Sequence, residues 1–193
     1  MKRPKMAQVE ISWNDSRWEL DRLARELSRS DFVKRFPHPF LLVGDFRNGS
    51  QWSFETRLIE ASSRLRHPDT LRAGTKETQA LVAAALRDAS GAFPVAKSPR
   101  NPLRKYISVG RTRNNDIVFP TRFVSKVHAF FARTLDGDWE LCDRGSTNGT
   151  FINGVQLRTG DWERVRFDDM IRFGYIEGYF VGPERAYAVL RGE

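Results

Sequence analysis

The sequence predicts a mainly β fold, an antiparallel β-sandwich with an α-helical N-terminal extension. Three observations lead there. From Tyr106 onward, short apolar-alternating runs recur with turn-rich clusters between them, as in a sandwich whose strands are joined by brief loops. Asn153-Gly154 stands between the apolar runs Phe151-Ile152 and Val155-Gln156-Leu157, the strongest short-range hairpin signal in the chain. Before residue 36, by contrast, apolar residues recur at helical spacing.

Taken in order, residues 1–13 read as a loose arm in which Val9 to Trp13 alternate briefly. Asn14 or Asp15 is placed to cap a helix running toward Arg35, with Trp18, Leu20, Leu23, Leu27 and Phe32 on its apolar face. That helix is expected to pack on the sandwich or on a partner, with its arginines as a solvated face. Phe36-Pro37-His38-Pro39 breaks it, and Phe40-Leu41-Leu42-Val43 reads as a buried strand ending at Gly44. After the turn Arg47-Asn48-Gly49-Ser50, the alternation of Trp52 to Ile59 suits a returning strand, completing a hairpin. Thr75 caps a predicted helix through Ala89, where Ala80, Leu81, Ala84, Ala85 and Leu86 supply propensity, and Ser90-Gly91 ends it. The organisation expected is therefore 1–35, an arm and helix; 36–91, a hairpin plus helix packed on the sandwich; and 92–190, the sandwich itself. No flexible linker, repeat or low-complexity tract separates the parts, which favours one elaborated domain.

In the second half, Ala92 to Ala96 and Tyr106-Ile107-Ser108-Val109 read as strands, and Asn115 to Pro120 as a turn leading into a short strand closed by proline. Val127 to Phe131, Trp139 to Asp143, Arg164 to Phe167, Met170 to Phe173 and Tyr175 to Val181 continue the series, the arginines outward and the apolar residues inward. Ala186 to Leu190 is expected as a closing strand.

At 193 residues and 40% hydrophobic content the chain can bury a sizeable core. Cys142 is the sole cysteine, which excludes an internal disulfide and a cysteine-based metal cluster. Lys2, Arg3 and Lys5 are followed by no apolar run long enough for a signal peptide or a membrane span, so a cytoplasmic protein is expected. The formal charge is +8, most of the excess lying before residue 101. A basic surface attracts phosphoproteins, nucleic acid or acidic lipid without choosing among them.

The chemistry concentrates between Gly110 and Gly154. Gly110 ends a strand and leaves Arg111 on the next loop, where its planar fork suits phosphate or carboxylate oxygens. Ser125 and Lys126 place a hydroxyl and an ammonium at a loop-to-strand junction, which again favours an anion. Arg144 to Thr150 is a dense turn cluster.

Gly110-Arg111, Ser125-x-x-His128, Ser146-Thr147-Asn148-Gly149-Thr150 and Asn153-Gly154, in this order and spacing, resemble the forkhead-associated (FHA) domain. The motif-bearing part covers about half the chain, and no motif position departs from the pattern; Lys126 occupies a variable one. The resemblance implies an FHA-type sandwich of about eleven strands that binds phosphothreonine peptides through loops at one end. Carried over by position, it implies Arg111 and Ser125 as phosphate ligands. Lys126, Thr147 and Asn148 would contact phosphate or peptide backbone. Gly110, His128, Gly149, Thr150, Asn153 and Gly154 would support the binding loops.

The competing readings are plainer. Arg111 alone would be a surface arginine paired with an acidic neighbour, and Thr147-Asn148 alone only a turn. Ser125, His128 and Asp143 invite comparison with a hydrolase triad, but no Gly-x-Ser-x-Gly elbow is present. His38, His67 and His128 lack metal-ligand spacing, and no Gly-x-x-x-x-Gly-Lys loop occurs. The expectation is thus an adaptor in Ser/Thr kinase signalling, not an enzyme, with no cofactor and no metal. Its expected partner is a Thr-phosphorylated protein, a Ser/Thr kinase or its substrate. The alternatives are a basic nucleic-acid-binding protein, which explains the charge but not the ordered motif, and a scaffold with a phospho-independent surface of the same type.

Overall fold

Two sheets face one another across an apolar interior, and a layer of helices covers the outer face of one of them. The computed structural model describes residues 16–44, 89 and 91–192. The expected alternation at Val9–Trp13, the turn Arg47–Ser50, the strand Trp52–Ile59 and all but the last residue of the helix Thr75–Ala89 lie outside the described residues.

In chain order the described elements are α1 (Ser16–Glu26), α2 (Arg29–Arg35), β1 (Phe40–Val43), β2 (Gly91–Pro94), β3 (Ile107–Gly110), β4 (Ile117–Val118), β5 (Ala129–Arg133), β6 (Trp139–Asp143), β7 (Thr150–Ile152), β8 (Val155–Gln156), β9 (Trp162–Val165), β10 (Asp169–Phe173), β11 (Ile176–Val181) and α3 (Pro183–Arg191). The first sheet runs β2-β1-β11-β10-β7-β8 and the second β4-β3-β5-β6-β9. All named pairings are antiparallel except β3 with β4, which are parallel with Val109 opposite Ile117. A strand of only two residues allows this, because the loop before it has merely to curl back beside β3.

Alternation sorts each strand between two cores. In β1, Leu41 and Val43 enter the interior between the sheets with Phe131, Leu141, Phe173 and Phe180, whereas Phe40 and Leu42 face the helices. β11 does the same, pairing Leu41 with Phe180 and Leu42 with Tyr179. Covering both faces explains why Phe40 to Val43 is an unbroken apolar run, the pattern of a strand with no solvent side. β1 comes from the stretch 36–91, so that stretch contributes a strand inside the sheet, between β2 and β11.

The helical layer differs from expectation in two places. The single helix expected toward Arg35 is two, because Ser28 accepts a hydrogen bond from the Asp31 N–H at 3.2 Å and restarts the helix there. Ala186 to Leu190, expected as a strand, belongs to α3. Gly182 caps that helix, Pro183 opens it with a preset φ, and Gly192 closes it at φ 78°. Leu20 and Ala24 of α1, Phe32 of α2, and Ala186, Tyr187 and Leu190 of α3 bury one face against Phe40, Leu42, Tyr179 and Val181. The Tyr187 hydroxyl donates to the Leu27 carbonyl at 3.1 Å, tying the last helix to the end of the first. None of the described helices is long and apolar enough to cross a membrane.

Candidate functional site

The loops at one end of the sandwich are joined by hydrogen bonds that run through the residues singled out in the sequence. The Arg111 N–H donates to the Ser125 carbonyl at 2.9 Å, drawing the loop after β3 against the loop before β5. Asn115 strengthens that seam. It is buried, and its side-chain amide donates to the Lys126 carbonyl at 2.8 Å and to the Thr112 carbonyl at 2.9 Å. Gly110 lies beneath the seam, where a Cβ would collide with the Lys126 carbonyl and come within 2.7 Å of Asn115 Nδ2.

His128 is fully buried and couples this pair of loops to a third. Its Nδ1 accepts the Ser125 N–H at 3.0 Å, so the ring proton sits on Nε2, which donates to the Gly149 carbonyl at 3.1 Å. Burial lowers the pKa of this imidazole below its ordinary value, against the opposing pull of the Gly149 carbonyl and the Asp143 charge. The second lone pair of that carbonyl takes the Gly174 N–H at 2.9 Å, bringing in the β10–β11 turn. Gly174 has φ 60°, and a Cβ there would strike the Phe123 carbonyl.

Asp143, read in the sequence only as a strand residue and a poor triad member, organises the turn cluster after β6. One carboxylate oxygen accepts from Ser146 Oγ at 2.6 Å and Thr150 Oγ1 at 2.7 Å. The other accepts from the Gly145 N–H at 2.9 Å, the Ser146 N–H at 3.1 Å and Thr159 Oγ1 at 3.0 Å. Burial works to raise its pKa, but the hydrogen bonds from Ser146, Thr150 and Thr159 prevail and hold it below the ordinary carboxylate value. Asp143 therefore stays ionised and fixes the backbone that presents Thr147 and Asn148. An aspartate followed by Arg-Gly-Ser, able to bond its own backbone two and three residues on, was the available signal.

Ser125 and Thr147 meet at the surface of this assembly. Ser125 Oγ accepts the Thr147 N–H at 3.1 Å and lies 3.4 Å from Thr147 Oγ1. The Asn148 amide donates to the Phe123 carbonyl at 2.9 Å, and the exposed Tyr175 packs edge-on against Phe123 at 4.9 Å. Arg111 and Lys126 are exposed, and neither side chain pairs with a described carboxylate. The structure thus gathers Arg111, Ser125, Lys126, Thr147 and Asn148 on mutually bonded loops, over His128 and Gly149.

Asn153 and Gly154 lie elsewhere. They form the β7–β8 turn with φ 50° and 80°, and Asn153 bonds outward to Asp169 Oδ1 at 2.8 Å and the Met170 N–H at 2.9 Å. Ser125, His128 and Asp143 form no relay, because both imidazole nitrogens are engaged by backbone groups and the carboxylate by its own turn. Among the described residues no group of three or more His, Cys, Asp or Glu side chains is placed to hold a metal ion.

The family model for the FHA domain matches residues 107–174. Over 74 residues, 38% of this chain, the sequence is 35% identical to an ABC transporter ATP-binding/permease protein of Mycobacterium tuberculosis, and the match covers only 8% of that protein. Similar solved structures include an FHA domain of MEK1 in complex with a phosphothreonine peptide of HOP1, at 22% identity and TM-score 0.40, covering 48% of this chain and 89% of that one. Another is the FHA domain of a Chlamydia trachomatis protein, at 20% identity and TM-score 0.40, covering 49% of this chain and 88% of that one. With the ordered motif, the sandwich and the family match in hand, the chain carries an FHA domain, and residues 107–174 are its signature-bearing part.

Proposed function

We propose that the loop end binds a phosphothreonine-bearing segment of a partner protein, and that the protein acts as a cytoplasmic adaptor in Ser/Thr kinase signalling. The carrying observation is the Ser125–Thr147 junction, two hydroxyls at a bonded loop seam flanked by Arg111 and Lys126, exposed cations that pair with no described carboxylate. Arg111 would grip phosphate oxygens with its fork, and Ser125 Oγ, which already accepts from Thr147, still has its own proton to donate. Lys126 would add charge at the rim. Asn148 commits its amide N–H to Phe123, leaving its carbonyl oxygen to accept a peptide N–H, with Thr147 beside it.

A phosphothreonine brings about −1.5 to −2 of charge near neutral pH, enough for one modification to switch such a contact on. The partner would be a threonine-phosphorylated kinase or kinase substrate, and the output a change of location or assembly. The test is calorimetric titration of the intact protein with a degenerate peptide library carrying one fixed phosphothreonine. The unphosphorylated library and a duplex DNA serve as comparators. Binding of the phosphorylated library alone is expected. Equal binding of both libraries would indicate a phospho-independent surface, and tighter binding of DNA a nucleic-acid protein.

A further inference from the structure

The charge around the site exceeds what one phosphate neutralises. Between Arg111 and His128 the chain carries four basic residues, Arg111, Arg113, Arg122 and Lys126, against a single carboxylate, Asp116. All four basic side chains are exposed. Asp116 does not offset them: its side chain is fully buried and pairs with Lys97 at 3.0 Å while accepting the Ser98 and Ser108 N–H groups at 2.6 and 2.7 Å. The neighbouring turn from Gly145 to Gly160 contains no acidic residue, and neither does Gly174-Tyr175; the ionised Asp143 before that turn is buried and is followed by the exposed Arg144. Thr112 Oγ1 donates to the Lys126 carbonyl at 2.9 Å, holding the Arg111–Arg113 loop beside Lys126. Arg122 lies over the Phe123 ring at 5.0 Å, on the residue whose carbonyl receives the Asn148 amide. The four cations therefore belong to one bonded loop cluster.

Uncompensated charge of one sign on adjoining loops costs stability through mutual repulsion and repays it only when an anion of matching extent is bound. Resting on the phosphothreonine reading above, we propose that the preferred ligand is a phosphothreonine segment flanked by further negative charge, read by Arg113 and Arg122. Acidic side chains and a second phosphate share that chemistry. Lone exposed ion pairs contribute modestly, so two added charges are expected to tighten binding about three- to tenfold at low salt.

The experiment titrates the full chain with phosphothreonine peptides of one length whose flanks are neutral, carry Asp and Glu, or carry a second phosphothreonine. An unphosphorylated acidic peptide and a duplex DNA complete the set. Each titration is repeated from about 0.1 M to about 1 M salt, where the screening length falls from roughly 10 Å to 3 Å. The acidic-flank peptide should bind more tightly than the neutral one at low salt, with the gap closing at high salt. Arg113→Gln and Arg122→Gln should each shrink the gap while leaving the neutral-flank peptide within about twofold. A gain confined to the doubly phosphorylated peptide would identify the second phosphate as the source. Equal affinity for neutral and acidic flanks overturns this inference and leaves the phosphothreonine site standing. Failure of every phosphopeptide, or tighter binding of DNA than of any of them, overturns both.

Discussion

The hydroxyl of Ser125 accepts the backbone N–H of Thr147 across twenty-two positions of sequence, at 3.1 Å, and this bond closes the seam between the loop before β5 and the turn after β6. It is solvent-exposed, so its own contribution to stability is about 0.5–1.5 kcal/mol. Ser125→Ala should therefore melt within a few degrees of the natural protein while binding a phosphothreonine peptide at least about tenfold more weakly. Calorimetry and thermal melts on the one variant separate the two effects. A variant that binds normally would remove Ser125 from the site.

His128 should behave in the opposite way. Replacing it with alanine leaves the Ser125 N–H without its partner, leaves the Gly149 carbonyl with only the Gly174 N–H, and opens a cavity beside Phe173, whose ring lies 5.8 Å away. The expected loss is about 3–5 kcal/mol of folding stability. Denaturant unfolding reads this directly.

The same residue gives the stability a pH dependence of known sign. Burial lowers its pKa in the folded protein below the ordinary 6.5, so the unfolded chain binds the proton first as pH falls. Stability from the neutral imidazole is complete above 6.5 and is lost as pH drops from there through the lowered folded value. His38 is lowered as well, by burial and then by the Arg133 charge, and contributes in the same window. Asp143, lowered below the ordinary 3.8, withdraws its contribution only in stronger acid. Unfolding measured from pH 7 to 5 should therefore lose stability in the natural protein, more than in His128→Gln on a His38→Gln background. Identical slopes would show that His128 does not titrate differently on folding.

Two glycines in the motif should fail for different reasons. Gly110→Ala meets the Lys126 carbonyl and Asn115, so it should cost about 1–3 kcal/mol and loosen the loop that carries Arg111. Gly154→Ala has open space around it and φ 80°, so only the backbone resists, at about 1–2 kcal/mol, and peptide affinity should not change. Melts and titrations of both variants distinguish a steric from a conformational origin.

The helical layer makes a further prediction. Phe32 is fully buried, stacked on Phe40 at 6.0 Å and tilted against Tyr187 at 5.3 Å. Phe32→Ala should destabilise by about 3–5 kcal/mol. Removing residues 1–35 should uncover the part of the six-stranded sheet's outer face that α1 and α2 bury, leaving α3 in place, and lower the melting temperature. An unchanged melt would free α1 and α2 to be a detachable contact surface.

How much of this was legible depended on whether a residue's neighbours lie close in sequence. Strand alternation at Trp139 to Asp143 and the Asn153-Gly154 turn are local signals, and both elements stand where they were expected. Ala186 to Leu190 misled because five apolar residues suit a strand as well as a buried helical face; the deciding marks were Gly182-Pro183 before it and Gly192 after it. The expected helix divides at Ser28 because one side chain competes with the backbone for the Asp31 N–H. Asp143 carries a local signal in the Arg-Gly-Ser that follows it, but the bonds that reach beyond the local turn, from Asn115 to Lys126 and from Thr159 to Asp143, span 11 and 16 residues. No spacing rule reports such a bond.

In the proposed site Arg111, exposed on the loop after β3 and paired with no described carboxylate, holds the phosphate. Titrating a phosphothreonine peptide into the natural protein, Arg111→Ala and Arg111→Lys tests it most directly, with thermal melts as the control for folding. The alanine variant should fold normally and bind at least about tenfold more weakly, since each charge-assisted bond contributes roughly 1.5–3 kcal/mol. Lysine, which keeps the charge and loses the fork, should recover only part of the affinity. Undiminished binding by a well-folded Arg111→Ala protein would contradict the account.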